Sequence, residues 1–446
     1  MNYEDRLYKA AVVGAAGKMG SGILLLTAIE MTDINLKPEN RQKAYSIYAI
    51  DKSEESLKDL QNYIHVQLTK IAEKRIVKLR ETYALKENLI ENSQIIDQYV
   101  EDVKQTIRYS TKLESAFNCN LVFEAASENI DVKTSILSTI EENSNDTSPF
   151  YYTNTSSIPI DFLNKSANLG GRIIGFHFYN PPAIQKLVEL ITIEDNSHEI
   201  KSFAHKLAES LQKVVVPSND IAGFIGNGHF MRELVYAFNN VDSLFEKMHL
   251  HESIYIYDNI IRDYLIRPMG IFQLADYVGL EVVKSILGIM SKFHEGENLK
   301  PQLLDKILGM DIKGGQYANG SQKDGFFQYK SGRIVGVLNF KTGGYVPVGD
   351  ITEKCDTIIG DKPKSILAWK EVIRMKDKAE FLTTYFHDLH RESALGAKLA
   401  IEYGKNSLKI GLNLITDNIA NNEHDVNTVM LTGFYHAYGP INNYFL

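Results

Sequence analysis

The chain has 446 residues, of which 44% are hydrophobic and 23% are charged, and its formal net charge at pH 7 is −8. These values are typical of a folded globular protein, and the length predicts two or three domains. The acidic balance argues against a nucleic-acid-binding protein. Two cysteines are too few for a disulfide framework, no signal-peptide core is present, and no apolar stretch reaches the ~18 residues of a membrane helix. We therefore expect a soluble cytoplasmic protein without a membrane span.

The chain begins with the pattern of a nucleotide-binding βαβ unit. A short apolar run at 10–13 is followed by GAAGKMGSGI and by a helix-like apolar stretch at 24–31. Glycines in such a turn let the backbone approach a pyrophosphate, and the next helix supplies N–H donors. The glycines Gly14, Gly17 and Gly20 have GxxGxxG spacing. An ordinary strand–helix turn is the alternative interpretation.

The second strand candidate, at 45–50, is followed directly by Asp51. An acidic residue at this place accepts hydrogen bonds from both ribose hydroxyls of an adenosine and repels a 2′-phosphate, which favours NAD over NADP. Asp51 lies 31 residues after Gly20 (51 − 20), more than the ~20 residues of the usual spacing. We attribute the excess to a polar surface insertion at 32–43.

Further strands complete a doubly wound sheet, so residues 1–217 are predicted to form an α/β, Rossmann-type domain. Residues 53–108 have helical spacing and many charges, which predicts two or three surface helices. The remaining strand candidates are residues 121–125, 150–153, 172–178 and 186–193.

After residue 218 the pattern becomes mainly helical. We predict one helical domain at 218–334 and a second, a possible degenerate repeat of the first, at 335–446. A glycine-rich passage at 314–344 breaks the helical pattern. The helix candidates before it are residues 221–241, 253–266, 270–287 and 302–310.

The strands at 172–178 and 186–193 carry the strongest candidates for chemistry. The short connection between them allows one strand to fold back on the other, which would bring His177 beside Glu189. A neighbouring carboxylate makes an imidazole a stronger proton acceptor. The pair therefore predicts a proton-transfer centre, and a structural histidine is the alternative.

Four more polar residues are candidates for the site. Ser156 follows a strand at the carboxyl edge of the sheet, where it can contact a substrate oxygen; a helix N-cap is the alternative, for which Ser157 is equally suited. Asn227 begins the helical part and can donate to a developing oxyanion, or serve as a structural amide. For Glu128 and Lys133, the residues alone favour a solvated helix N-terminus.

The sequence predicts no metal site. It also predicts no specific role for the basic cluster that begins at Lys70. The close histidine pairs at 249/251 and 387/390 lack the carboxylate spacing of a zinc site. A local basic cluster is more typical of a solvated helix face, with a phosphate-bearing ligand as the alternative. Its members are Lys70, Lys74, Arg75, Lys78 and Arg80.

Taken together, the motifs resemble the L-3-hydroxyacyl-CoA dehydrogenase family from the glycine turn to about residue 330. They occur in the family's order as GAAGKMGSGI, SENIDVK, TNTSS, GFHFYNP, KLVEL, GFIGN, PMGIFQLADYVGL and KDGFFQY. The resemblance implies NAD-dependent, reversible oxidation of L-3-hydroxyacyl-CoA to 3-ketoacyl-CoA, of the fatty-acid β-oxidation type. The glycine spacing departs from the family's GxGxxG and is similar to the GxxGxMG turn of dihydrodipicolinate reductases.

The resemblance also implies roles for individual residues. His177 would be the general base, Glu189 would orient and polarise it, and Ser156 and Asn227 would hold the reacting oxygen. NAD would be the cofactor, with Asp51 at the adenosine ribose. The residues implied in cofactor binding are Gly14, Gly17, Lys18, Met19, Gly20, Asp51, Glu128 and Lys133.

Residues 335–446 resemble the second copy of the helical domain in multifunctional fatty-acid oxidation enzymes. Such a copy would occupy the surface through which short-form enzymes dimerise, so we expect a monomer, with a homodimer as the alternative. Association with a separate hydratase or thiolase is a further expectation. Two other functions stay open, namely a dehydrogenase of a 3-hydroxy acid lacking CoA and a non-catalytic NAD-binding subunit.

Overall fold

A computed structural model describes residues 2–40, 43–144, 147–244, 248–317 and 320–446. The chain divides into two compact units, of which the first ends at Asp220 and the second begins at Ile221. The boundary predicted after 217 lies close to this division, whereas the boundary predicted after 334 falls inside the second unit. The three-domain organisation stays a prediction.

The first unit is built on one large sheet. Its strands are β1 (Lys9–Val13), β2 (Ser46–Ile50), β3 (Ile107–Ser110), β4 (Leu121–Glu124), β5 (Phe150–Thr153), β6 (Ile173–Phe178), β7 (Leu187–Ile191) and β8 (Val214–Ser218). Over the described residues, eight strands lie in the order β3-β2-β1-β4-β5-β6-β7-β8. Strands β1 to β6 are parallel, β7 is antiparallel to β6, and β8 is parallel to β7. The order 3-2-1-4-5-6 is that of the dinucleotide-binding fold, which confirms the predicted Rossmann-type domain.

Helices cover both faces of this sheet. They are α1 (Tyr3–Leu7), α2 (Lys18–Asn35), α3 (Glu54–Lys74), α4 (Ile76–Thr82), α5 (Asn92–Thr106), α6 (Ile130–Asn143), α7 (Ile160–Ser166) and α8 (His198–Ser210). Because both faces are covered, β4, β5 and β6 bury every residue. The sequence predicts helices through residue 108, whereas β3 begins at Ile107. This four-residue edge strand includes Arg108 and Ser110, so it lacks the apolar run that signals a strand.

The second unit is mainly helical. Its helices are α9 (Gly226–Leu244), α10 (Leu250–Asn259), α11 (Ile271–Val278), α12 (Leu280–Phe293), α13 (Gln302–Gly309), α14 (Val348–Ile359), α15 (Trp369–Val372), α16 (Lys378–Leu389), α17 (Leu395–Thr416) and α18 (Glu423–Gly433). A π-helical turn at Ile260–Tyr264 follows α10 directly. One hydrophobic core contains buried side chains from both sides of residue 335, among them Tyr264 and Tyr403.

One local prediction for the second unit is wrong, and one segment has a structure that the sequence did not indicate. The helix predicted at 270–287 is divided at Gly279, whose φ of 104° is incompatible with a continuous right-handed helix. The glycine-rich passage and the three residues after it contain an antiparallel sheet of β9 (Phe327–Lys330), β10 (Arg333–Leu338) and β11 (Tyr345–Pro347). Such short strands gain their stability from pairing, which local sequence patterns do not report.

Candidate active site

Strand topology gathers the first unit's candidate residues along one edge of the sheet. Gly14 follows β1, Asp51 follows β2, Glu128 lies in the loop after β4, and Ser156 lies in the loop after β5. His177 is the penultimate residue of β6. Because these five strands are parallel, their carboxyl ends share the edge at which ligands bind in such folds.

The structure brings His177 and Glu189 into contact. They are directly paired across β6 and β7, with His177 Nδ1 3.0 Å from Glu189 Oε2. Both side chains are buried, His177 to 7% exposure and Glu189 to 0%. The Tyr179 ring packs on the imidazole with its centroid 4.8 Å away. A carboxylate at Nδ1 fixes the ring and selects the tautomer that accepts a proton at Nε2.

The turn after His177 is anchored from two sides. Lys213 Nζ donates to the carbonyl oxygens of Pro182 and Gln185, at 2.5 and 2.7 Å. Burial lowers the pKa of Lys213 to about 8. On the other side, a Cβ added to Gly22 in α2 would lie 2.9 Å from the Pro182 ring. The helix that begins at the glycine loop therefore packs directly against the turn that connects His177 with Glu189.

Glu128 orders the loop that contains Ser156. Its carboxylate accepts hydrogen bonds from Thr155 Oγ1 (2.7 Å), the Ser156 backbone N–H (2.9 Å) and Ser157 Oγ (2.7 Å). Burial raises the pKa of Glu128, but the charge of Lys133 and these hydrogen bonds outweigh burial, so the pKa lies below its usual value. An ionised Glu128 thus holds Ser156 at the carboxyl edge of the sheet.

The interpretation of Ser156 or Ser157 as a helix cap is wrong. The first backbone N–H groups of α7, those of Ile160 and Asp161, donate to the Asp220 carboxylate at 2.5 and 2.8 Å. The cap therefore comes from a residue after β8, sixty positions along the chain from Ile160. No local pattern reports such a distant cap.

The prediction of a solvated helix N-terminus for Glu128 and Lys133 is also wrong. Lys133 is 1% exposed and its Nζ lies 2.8 and 2.9 Å from the two carboxylate oxygens of Glu124. Glu124 is fully buried and also accepts from Thr153 Oγ1 at 2.6 Å. Sequence reasoning missed Glu124, although a carboxylate inside the apolar run LVFEA is a usable signal of a buried ion pair.

Two glycines of the 14–20 loop lie where a side chain would collide with the protein backbone. Gly14 has a φ of 81°, and a Cβ there would lie 2.6 Å from the carbonyl oxygen of Ala125. A Cβ on Gly20 would lie 2.1 Å from the carbonyl oxygen of Gly14. Neither position tolerates a side chain, so the tight packing of this loop requires glycine at both positions.

The start of α2 and Asp51 complete the fit for NAD. Helix α2 begins with Lys18 and Met19, and its N-cap Gly17 makes no side-chain cap, which suits binding of a phosphate at the helix N-terminus. Asp51 Oδ2 accepts from the Ala16 backbone N–H at 3.1 Å. This bond places the carboxylate beside the glycine loop, where an adenosine ribose is recognised in this fold.

Asn227 belongs to the second unit, where it is the second residue of α9. Its contact with a reacting oxygen stays a prediction.

In the described part of the chain, no group of three or more His, Cys, Asp or Glu side chains is placed to hold a metal ion. Within the same residues, no helix combines the length and apolar character needed to span a bilayer.

Comparisons with known proteins agree with these features. The family profile described as "3-hydroxyacyl-CoA dehydrogenase, NAD binding domain" matches residues 9–221, and the profile of the family's C-terminal domain matches 223–324. A probable 3-hydroxybutyryl-CoA dehydrogenase of Bacillus subtilis is 30% identical over 328 residues, which cover 72% of this chain and 98% of the relative. Human mitochondrial hydroxyacyl-coenzyme A dehydrogenase is 26% identical over 333 residues, covering 73% of this chain and 92% of the relative.

Similarity of fold extends over nearly the whole chain. The crystal structure of 3-hydroxybutyryl-CoA dehydrogenase from Escherichia coli K12 aligns with a TM-score of 0.63 at 20% identity, covering 98% of this chain and 90% of that one. At this identity the likeness concerns the fold alone. The NAD-binding profile indicates NAD as the cofactor. By both profiles and by its relatives, the chain belongs to the 3-hydroxyacyl-CoA dehydrogenase family of oxidoreductases.

Proposed function

We propose that this protein catalyses the reversible, NAD-dependent oxidation of L-3-hydroxyacyl-CoA to 3-ketoacyl-CoA in fatty-acid β-oxidation. The observation that carries the proposal is the 3.0 Å contact between His177 and Glu189 at the nucleotide-binding edge of the sheet. A buried carboxylate at Nδ1 stabilises the imidazolium that forms when Nε2 takes a proton. A cytoplasmic location, a monomeric state and association with a separate hydratase or thiolase belong to the same proposal.

In the proposed reaction, His177 removes the proton of the substrate 3-hydroxyl. NAD, when bound, supplies the acceptor for the hydride that leaves C3. Glu189 stabilises the charge that develops on the imidazole, while Ser156 and Asn227 donate hydrogen bonds to the reacting oxygen. In the reverse direction His177 returns the proton. General acid–base help of this kind is worth ~10²–10⁴ in rate.

The cofactor is assigned to the same edge. We place its pyrophosphate at the 14–20 loop, with Lys18 and Met19, and its adenosine ribose at Asp51. Glu128 and Lys133 would lie along the nicotinamide half, and Glu128 accepts a hydrogen bond from the Ser156 backbone N–H. The CoA part of the substrate serves as a handle whose remote contacts align the reacting carbon.

Reduction of acetoacetyl-CoA by NADH tests the assigned base. His177→Gln should lower kcat/KM by at least ~10²-fold, because glutamine cannot carry the proton. Glu189→Gln should also lower it, since an uncharged partner stabilises the imidazolium less. The matched control is His205→Gln, which alters an exposed histidine of α8 and should leave the rate unchanged. Equal rates for the parent and His177→Gln would contradict the assignment.

The same assay separates the alternatives. Acetoacetate turned over as well as acetoacetyl-CoA would favour a dehydrogenase of a CoA-free 3-hydroxy acid. A higher kcat/KM with NADPH than with NADH would overturn the role of Asp51. NADH binding without turnover of any 3-ketoacyl-CoA would favour a non-catalytic subunit.

A further inference from the structure

The second unit contains a cavity of about 350 Å³ that the proposed reaction does not use. Its volume falls in the range of small-molecule sites, roughly 300–1,000 Å³. One wall is formed by Arg262, Asp263, Arg267 and Pro268, and the other by Lys362 and residues 366–370. We call it the Trp369 cavity.

The first wall has an unusual backbone. After the π-helical turn at Ile260–Tyr264, the Arg267 N–H donates to the Arg262 carbonyl at 2.9 Å, a bond that spans five residues. Ile266 has a φ of 50°, which is costly for a β-branched residue. Such turns and such strain concentrate at functional sites. Here they bring Arg262, Asp263 and Arg267 into the wall.

The cavity carries an excess of positive charge. Arg262 donates twice to Asp263, at 2.7 and 3.1 Å, and Lys362 donates to the same carboxylate at 3.1 Å. Lys370 is exposed and forms no ion pair with the residues that the structure describes. Arg267 is neutralised by Glu233 through two hydrogen bonds of 2.8 Å. Apart from Arg267, the cavity is therefore lined by three cations, Arg262, Lys362 and Lys370, and by one carboxylate, that of Asp263.

An apolar and aromatic surface lies beside these cations. Ile366, Leu367 and Trp369 line the second wall. The Trp369 indole N–H donates to the Tyr435 carbonyl oxygen at 2.7 Å, which fixes the ring. A fixed indole offers a planar base a stacking surface, and the neighbouring ammonium groups offer partners for phosphate.

We propose that the Trp369 cavity binds a nucleoside diphosphate, with the base against Trp369 and the phosphates at Lys362 and Lys370. A lone inorganic anion would not need the apolar wall, and an uncharged nucleoside would leave the excess charge uncompensated. The inference does not depend on the proposed reaction, because none of its residues takes part in that reaction.

Tryptophan fluorescence tests this inference directly, because Trp369 is the chain's single tryptophan. The full-length protein is titrated with ADP, and the Asp51→Asn variant, which is altered at the dinucleotide site of the first unit, is titrated in parallel. We expect a saturable change in Trp369 emission. Lys362→Gln and Lys370→Gln should each weaken the apparent affinity for ADP about threefold, the size of one exposed charge contact. The matched control is Lys364→Gln, an exposed lysine of the same segment that does not line the cavity, which should leave the affinity unchanged.

Four results would overturn the inference. One is the absence of a saturable response to ADP up to about 1 mM, the weak end of specific binding. Another is equal affinity for ADP and pyrophosphate, which would leave no role for the base. Equal affinity for ADP and adenosine would leave no role for the phosphates. Finally, a response that is lost in Asp51→Asn but kept in both lysine variants would belong to the dinucleotide site.

Discussion

At the scale of single residues, the first unit depends on buried charges that compensate one another. Burial lowers the pKa of Lys133, but the charges of Glu124 and Glu128 outweigh burial and raise it above its usual value. The resulting ammonium group favours the ionised form of Glu128, whose pKa lies below its usual value. Since Glu128 in turn holds Ser156, the position of a proposed substrate contact depends on an ion pair in the interior of the unit.

Lys133→Met tests this dependence. The change leaves Glu124 buried without its cationic partner, so we expect the free energy of unfolding to fall by about 3–5 kcal/mol. Urea unfolding at neutral pH measures the loss. The control is Lys165→Met, which removes an exposed ammonium 2.6 Å from Asp161 and should have little effect because water screens that pair. Similar results for both variants would contradict a structural role of the buried pair.

Some site residues are predictable from the sequence because their partners lie nearby along the chain. His177 and Glu189 are twelve positions apart on two strands joined by a short turn, so strand pairing alone brings them together. Asp220 and Lys213 act on residues 28 or more positions away, and local patterns carry no record of such contacts. Glu124 is an intermediate case, since its partner Lys133 is close in sequence but the burial of both comes from the sheet.

At the scale of secondary-structure elements, close packing of α2 against the turn after β6 links the glycine loop to the proposed catalytic pair, His177 and Glu189. Gly22→Ala should disrupt this contact, because a Cβ would lie within 3.0 Å of three atoms of the rigid Pro182 ring. We expect a loss of about 1–3 kcal/mol in the free energy of unfolding and a lower kcat/KM with NADH.

Gly288→Ala is the matched control for this substitution. Gly288 lies within α12, and a Cβ there would meet no atom within 4 Å. Alanine should therefore be neutral or raise the free energy of unfolding by up to about 1 kcal/mol through its higher helix propensity. Equal destabilisation by the two substitutions would show that the contact with Pro182 is not the cause.

Asp258 gives the start of α11 a pH-dependent stability. Its carboxylate accepts from the backbone N–H groups of Phe272 and Gln273, at 2.8 and 3.0 Å. Burial raises the pKa of Asp258 to about 6, against about 3.9 in an unfolded chain. Between these values the folded state binds a proton that the unfolded state does not, so the contribution of Asp258 to stability falls as pH rises from about 4 to 6.

Asp258→Asn should remove that contribution while keeping an acceptor for the helix. The decrease in the free energy of unfolding between pH 4 and 6 that is due to this group, measured by urea denaturation, is expected to be smaller in the variant than in the parent. Identical pH dependence of the two proteins would show that Asp258 titrates normally.

Elements differ in how well the sequence predicts them. Strands β1, β2, β4, β5 and β6 follow from apolar runs, because a strand covered on both faces must be apolar along its length. The sheet of β9 to β11 and the π-helical turn do not follow, since pairing and packing with distant segments stabilise them. The break at Gly279 depends on a positive φ that glycine permits but does not require.

At the scale of the whole molecule, the second unit has one core to which residues before and after 335 contribute. Polar contacts join the same two parts. Arg267 donates to Ser407 Oγ at 3.1 Å, and His229 Nε2 lies 3.2 Å from the Ser407 carbonyl oxygen. The apolar side chains of the helical part before residue 335 are therefore buried partly by the helical part after it, and the reverse is also true.

Truncation after residue 334 tests this dependence. The fragment would lose Tyr403 and the other core residues of α17, exposing apolar surface around Tyr264. We expect it to bind a hydrophobic dye and to lose the cooperative thermal unfolding of the second unit, as monitored by circular dichroism. A soluble fragment in which residues 221–334 still unfold cooperatively would instead support the boundary predicted near residue 335.

By itself, the sequence determined the α/β class, the NAD-binding edge and the pairing of His177 with Glu189. These features follow from hydrophobic periodicity, glycine positions and contacts between neighbouring strands, all of which are local. Only the tertiary structure decided that Lys133 is buried against Glu124, that Asp220 caps α7 and that described residues on both sides of 335 share a hydrophobic core. Burial and long-range pairing arise only when distant segments pack together. Their stabilisation energies therefore depend on the whole folded chain and cannot be inferred from any one segment.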